Sequence, residues 1–150
     1  MTRRRVLVLC THNSARSQMA EGFLRALAGD RFEVASAGTE ATRVHPLAIR
    51  AMGEVRIDLV GHTSKTLDRF LDQPWDYVLT VCDSANERCP VFPARTTRIH
   101  WSFEDPSQAT GTEQERLAVF RRVRDEIAGR LRVWLEEQGK SSGHRISTAR

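Results

Sequence analysis

The stretch VLVLC, residues 6–10, constrains this chain more than any other. It is apolar on both faces, rich in β-branched residues and too short for a helix, so it reads as a buried strand over Arg5–Leu9. A strand with no polar face must be covered on both sides, and the pattern that follows supplies the cover. Ala15, Met19, Phe23 and Leu27 recur at every fourth position, and Gly29 closes the run, which predicts a helix over Ala15–Ala28. FEVAS (Phe32–Ser36) predicts a second strand, ended by a turn at Gly38. His45–Met52 reads as a short helix with Pro46 in its first turn. Another short helix is expected near Lys65–Leu71. DYVLTVC (Asp76–Cys82) and TRIHW (Thr97–Trp101) read as the third and fourth strands.

The longest helix is predicted over Thr112–Glu137. Thr112 and Glu115 have capping-box spacing, and Phe120, Val123, Ile127, Leu131 and Trp134 form a buried stripe. Strands alternating with helices imply a single-domain α/β fold over residues 1–137, its parallel sheet flanked by helices on both faces. The polar, Gly/Ser-rich stretch at 138–150 is expected to be a disordered tail. Ligands of such sheets sit at the carboxyl ends of the strands. Cys10 ends the first strand there and Cys82 ends the third on the same edge.

Composition removes several function classes. The chain has 150 residues, enough for one domain with a full core. It is 40% hydrophobic and 28% charged, with no apolar run near the roughly 20 residues that span a bilayer. The basic start is followed by too short an apolar run for a signal segment, so a cytoplasmic protein without membrane contact is expected. Net charge is +4. Arg116, Arg121, Arg122, Arg124, Arg130 and Arg132 are interleaved with acids, which reads as a solvated helix face, and no nucleic-acid reader module is present. Three cysteines, Cys10, Cys82 and Cys89, do not make a disulfide framework. They leave reactive thiols, a metal site or inert core thiols.

Cys10–Arg16 is a C-x5-R loop joining a strand to a helix. The first-turn N–H groups of a helix lack intrahelical partners. If Thr11, His12, Asn13, Ser14 and Ala15 curl, their N–H groups converge on one spot and form an anion nest. Arg16 adds a planar fork suited to a tetrahedral oxyanion. A thiol at the base of that bowl is expected to have a lowered pKa and to act as nucleophile. Asn13 and Ser14 tolerate tight backbone angles, and Ser17 is placed to donate to the Cys10 sulfur. His12 reads as an exposed loop residue. The alternative is a buried cysteine and a helix-start arginine at a coincidental spacing.

CTHNSARSQMAE resembles the phosphate-binding loop of the low-molecular-weight protein tyrosine phosphatase family, and more narrowly its arsenate reductase branch. SAGTE (Ser36–Glu40), GHTSK (Gly61–Lys65) and Asp105-Pro106 fall in the order that family shows. The resemblance covers Arg5–Glu137. It implies a four-stranded parallel sheet of order 2-1-3-4, and gives Asp105 the role of general acid over the nest.

The later thiols Cys82 and Cys89, a C-x6-C pair, bear on which chemistry the nest serves. Phosphoryl transfer needs one thiol. A relay from Cys10 to Cys82 to Cys89 would reduce arsenate and carry the disulfide outward. All three cysteines match the thioredoxin-coupled arsenate reductases, which implies thioredoxin as electron donor and no cofactor. Some members of the family hold a potassium ion with side chains matching Asn13, Glu21, Ser36 and an acid near position 65. Lys65 stands at that place here, and no metal is expected. A zinc site lacks the usual short ligand pairs. A low-molecular-weight tyrosine phosphatase and a thiol oxidant sensor remain as rival readings. The former wants aromatic walls that the sequence after Pro106 does not offer, and the latter has no use for Arg16 or Asp105. A monomer is expected.

Overall fold

The computed structural model describes residues 3–147, and every side chain among them except Ser84, Asn86 and residues 140–147. β1 (Arg4–Cys10) lies inside a four-stranded sheet with β2 (Phe32–Gly38) on one side and β3 (Tyr77–Thr80) on the other. β4 (Thr97–His100) completes the order β2-β1-β3-β4, and every pairing is parallel. This is the expected topology. Val6, Leu7, Val8 and Leu9 are fully buried, as a strand covered on both faces must be.

The chain leaves β1 toward β2 and later returns to β3 on the opposite side. Such a reversal opens a crevice at the carboxyl end of the first strand. Cys10 is the last residue of β1, and Cys82 follows β3 by two positions. The fold therefore places both thiols at one switch point.

Helix α1 (Arg16–Ala28) packs against β2 and against the long helix α4 (Glu113–Ser147), and α2 (Pro46–Glu54) also packs on α4. The α4 stripe is buried as expected at Phe120, Val123, Ile127, Leu131 and Trp134. The Trp134 ring meets Phe32, Tyr77 and Trp101 at centroid distances of 5.5, 5.1 and 6.4 Å. One side chain thus ties α4 to β2, to β3 and to the residue after β4. The capping box forms: Thr112 Oγ1 accepts from the Glu115 N–H at 3.1 Å, and Glu115 Oε1 accepts from the Thr112 N–H at 3.0 Å.

Two local expectations differ from the structure. Leu27 is 40% exposed, and the buried face of α1 runs through Met19, Ala20, Phe23, Leu24 and Ala28 instead. A strict four-residue spacing drifts about 40° per step around a helix, so the fourth member has turned away from the core. α4 continues past Glu137 to Ser147, without a proline to stop it, over much of the stretch read as a tail; Thr148–Arg150 lie outside the described residues. Asp83–Glu87 forms a further short helix, α3. No helix among the described residues is long and apolar enough to cross a membrane.

Candidate active site

The loop after β1 is held by its carbonyls. Cys10 O accepts from the Thr39 N–H, Thr11 O from the Glu40 N–H at 2.9 Å, and Ser14 O from the His45 N–H at 2.9 Å. His12 O accepts the Ser64 hydroxyl at 2.7 Å. A trans peptide points its C=O and the next N–H in opposite directions, and no peptide bond here is cis. Carbonyls tied to the outer segments 39–45 and 64 therefore turn the N–H groups of Thr11, His12, Asn13 and Ala15 to the opposite side. That is the geometry of an anion nest. Ala15, at the N-cap of α1, makes no side-chain cap.

Asn13 is the hub of the loop. Its φ of 50° lies in the left-handed region, which asparagine tolerates. Its Nδ2 donates to Ser17 Oγ at 2.8 Å and to Ser36 Oγ at 2.9 Å. Its Oδ1 accepts from the Lys65 N–H at 2.9 Å and from Gln18 Nε2 at 3.0 Å. All four bonding positions of this buried amide are filled. Asn13 shapes the loop, and its side chain has no capacity left for a ligand. Gly38 is the hub's silent partner, missed in the sequence except as a turn. A Cβ there would sit 2.6 Å from both Thr11 O and Glu40 O, so only glycine lets β2 end against the loop.

Arg16 is buried at the start of α1. Its Nη1 donates to Phe103 O at 3.0 Å, and its Nη2 stands 3.4 Å from Asp105 Oδ2. Its buried Nε has no hydrogen-bond partner among the described residues. Leaving a buried charged donor unpaired is costly. Asp105 caps the short turn Pro106–Gln108, its Oδ1 accepting the Ser107 N–H and hydroxyl at 3.0 and 2.7 Å. Burial pushes the Asp105 carboxyl up, but the Ser107 bonds and the Arg16 charge outweigh it and hold it below the usual value.

The two buried thiols meet. Cys10 and Cys82 are neighbours, and the Thr11 hydroxyl lies 3.2 Å from the Cys82 sulfur. The neighbouring Cys10 thiol is the largest influence on Cys82; burial opposes it, and Thr11, the Ala85 N–H and Arg16 add to it, leaving Cys82 at about 5. Cys10 is raised well above its ordinary value, first by Cys82 and then by burial, against the pull of Arg16. The lowered pKa expected of Cys10 is thus found on Cys82. The physical reason is that two neighbouring thiols in a cationic site titrate as a pair, and the second charge is hard to form beside the first. The Ser17 backbone N–H favours the Cys10 thiolate, while the Ser17 hydroxyl accepts from Asn13. His12 is exposed, facing Glu40 at 3.8 Å. Cys89 lies beyond α3, half-buried, its thiol pushed up by burial.

The donor set for a monovalent cation does not fit one. Asn13 Oδ1 already accepts two bonds, Ser36 Oγ accepts from Asn13 and donates to Glu21, and Glu21 also holds Arg25 at 2.8 Å. The Lys65 ammonium donates to Thr63 O at 2.7 Å. Burial lowers its pKa and the nearby Glu21 carboxylate raises it in part.

A model of the family described as low molecular weight phosphotyrosine protein phosphatase matches residues 5–143. The chain belongs to that family. Among its relatives is an arsenate reductase of Halalkalibacterium halodurans, 48% identical over 136 residues, or 91% of this chain and 98% of that one. A solved arsenate reductase in the phosphate binding state is 35% identical, covers 89% of this chain and 98% of its own, and superposes with a TM-score of 0.72. A thioredoxin-dependent arsenate reductase of Corynebacterium glutamicum is 28% identical over 93% of this chain and 63% of its own, also with a TM-score of 0.72. The resemblance read from CTHNSARSQMAE is borne out, and these relatives lie in its arsenate reductase branch.

Proposed function

We propose that this chain reduces arsenate to arsenite through Cys10, Cys82 and Cys89, with thioredoxin as the electron donor. The observation that carries the proposal is the pair of neighbouring buried thiols, Cys10 and Cys82, at one sheet edge within the influence of Arg16. A phosphatase needs one nucleophilic sulfur; a reductase needs a second within bonding reach. The names of the relatives support the same substrate.

Arsenate enters the nest and occupies the N–H groups of the loop and the Arg16 Nε. The Cys10 proton passes to the neighbouring Cys82 thiolate, which leaves a thiolate at Cys10. The Cys10 thiolate attacks arsenic, an As–O bond breaks, and the oxygen leaves as water with a proton from Asp105. Asp105 is well placed for this. An oxyanion that draws the Arg16 charge to itself removes one of the influences holding the carboxyl down, so Asp105 takes up a proton more readily when substrate is bound. Cys82 then attacks the Cys10 sulfur, and the proton it received passes to an oxygen of the departing arsenite. The S–As bond breaks, its electron pair stays on arsenic, and arsenite leaves a Cys10–Cys82 disulfide. Cys89 attacks Cys82, Cys10 departs as thiolate, and the disulfide moves to Cys82–Cys89. A dithiol of thioredoxin supplies the two electrons that reset the pair. Three cysteines kept as free thiols suit a reducing cytoplasm. We take the working form to be a monomer.

The test is an NADPH-coupled assay with thioredoxin, thioredoxin reductase and arsenate. Wild type turns over. Cys10→Ser releases no arsenite. Cys89→Ser releases at most one arsenite per enzyme and traps the Cys10–Cys82 bond; sustained turnover by Cys89→Ser would refute the relay. A weak phosphatase activity is also expected, because nest and Arg16 treat phosphate and arsenate alike in charge and shape. It should survive in Cys82→Ser.

A further inference from the structure

His100 and Asp83 lie outside the machinery described so far, yet they meet at the root of the segment that the relay must move. β3 and β4 end side by side, with Thr80 opposite His100. The imidazole bridges the two structures that follow. Its Nδ1 is 2.7 Å from Thr80 Oγ1, and its Nε2 is 2.9 Å from Asp83 Oδ1. The Trp101 N–H, donating to Thr80 O at 2.9 Å, fixes the backbone beside the ring. Asp83 directly follows Cys82 and is the first residue of α3. A side chain on a rigid strand end therefore grips the first residue of a five-residue helix, a length that is not stable alone. At the other end of the helix, Arg88 approaches Glu40 only to 3.8 Å, with both side chains exposed.

A helical run between Cys82 and Cys89 separates its ends by about 10 Å. Disulfide-bonded residues need Cα atoms within about 7 Å. The Cys82–Cys89 bond thus requires α3 to unwind, and unwinding from its start requires Asp83 to leave His100. We infer that the His100–Asp83 contact is a latch: it holds α3 closed while Cys10 and Cys82 react, and its release sets the pace at which the disulfide passes to Cys89. His100 and Asp83 are positioning residues, since neither touches arsenic or sulfur. A neutral ring serves as well as a charged one, with Thr80 donating to Nδ1 and Nε2–H donating to Asp83. The latch rests on the relay reading for its purpose, though not for its existence. Asp83 is 73% and His100 30% exposed, so the contact is weak by design and effects of about threefold are expected.

Asp83→Ala and His100→Ala remove the contact from either side, and Asp83→Asn keeps an acceptor for Nε2–H. In the reduced protein without substrate, hydrogen exchange at the α3 amides should rise about threefold in both alanine variants and stay near wild type in Asp83→Asn. The double variant should match the singles rather than multiply them. Unchanged exchange, or multiplied effects, overturns the latch. In rapid-quench experiments with arsenate, formation of Cys10–Cys82 should hold within twofold of wild type, while transfer to Cys89 quickens about threefold. Equal slowing of both steps overturns the latch and makes the contact ordinary support of the site. Absence of any Cys10–Cys82 bond in Cys89→Ser overturns the relay instead, and the exchange experiment then still decides whether His100 holds the helix.

Discussion

The two segments that carry thiol chemistry are built in opposite ways. In the Cys10–Arg16 loop, carbonyl after carbonyl is pinned from outside, Asn13 spends all four of its bonds, and Gly38 leaves no slack behind it. In Cys82–Cys89, one short helix hangs between Asp83–His100 and the long Arg88–Glu40 contact. Both sit at the same sheet edge, and the difference fits the two tasks proposed for them. Stabilising an oxyanion needs donors that do not reorganise. Passing a disulfide along a chain needs a segment whose opening takes little free energy.

The comparison breaks most directly at Asn13. Asn13→Ala strips buried partners from Ser17, Ser36, Gln18 and Lys65 and leaves alanine at a positive φ. Stability in urea should fall by about 3 kcal/mol and arsenate turnover by about 100-fold. Asp83→Ala in the other segment should shift stability by less than about 0.5 kcal/mol. Similar losses at the two positions would show that the segments are equally rigid.

Gly38→Ala is the next largest. Its Cβ meets backbone oxygens on two sides, which cannot swing away as a flexible side chain can. A loss of about 2 kcal/mol is expected, together with weaker phosphate protection against thermal unfolding.

Thiol titration sharpens the contrast further. With Cys82 at about 5, its alkylation rate should already be near plateau at neutral pH. Cys89, raised by burial, should still be accelerating above pH 9. The signs follow from the thiolate being the reactive form, whose fraction grows as pH passes the pKa. Mass-resolved labelling between pH 4 and 10 checks both curves, and coincident curves would remove the asymmetry.

The smallest effect belongs far from either thiol. Glu54 receives Arg121 at 2.8 and 2.6 Å and Arg124 at 3.1 Å, and is lowered from 4.5 to about 2, with the Arg121 bonds as the first cause. A depressed folded-state value means stability that is present above pH 4.5 and lost as pH falls toward about 2. Glu54→Gln should lower Tm by a few degrees at pH 7, with a gap that closes in acid and no change in arsenite release.

The strand–loop–helix from Val6 to Ala28 was legible because each signal in it is local: an apolar run, small polar residues where the backbone turns, an arginine one step inside a helix. The sheet and its α4 stripe were legible for the same reason, since periodicity is a property of neighbours along the chain. Leu27 shows the limit of that reading, because whole-number spacing and a 3.6-residue turn part company over three steps. The pins of the nest come from residues 39–65, and a hydrogen bond between positions so far apart leaves no periodic trace.

By itself the sequence determined that a thiol and a guanidinium would flank one turn at a strand end, and that two more thiols would follow. Only the tertiary structure decided that Cys10 and Cys82 are neighbours and that the thiol pulled down is Cys82. It also decided that α3 stands between Cys82 and Cys89. Proton sharing and helix opening depend on ångström-scale separations between residues distant in the chain, and those separations exist only after the sheet has assembled.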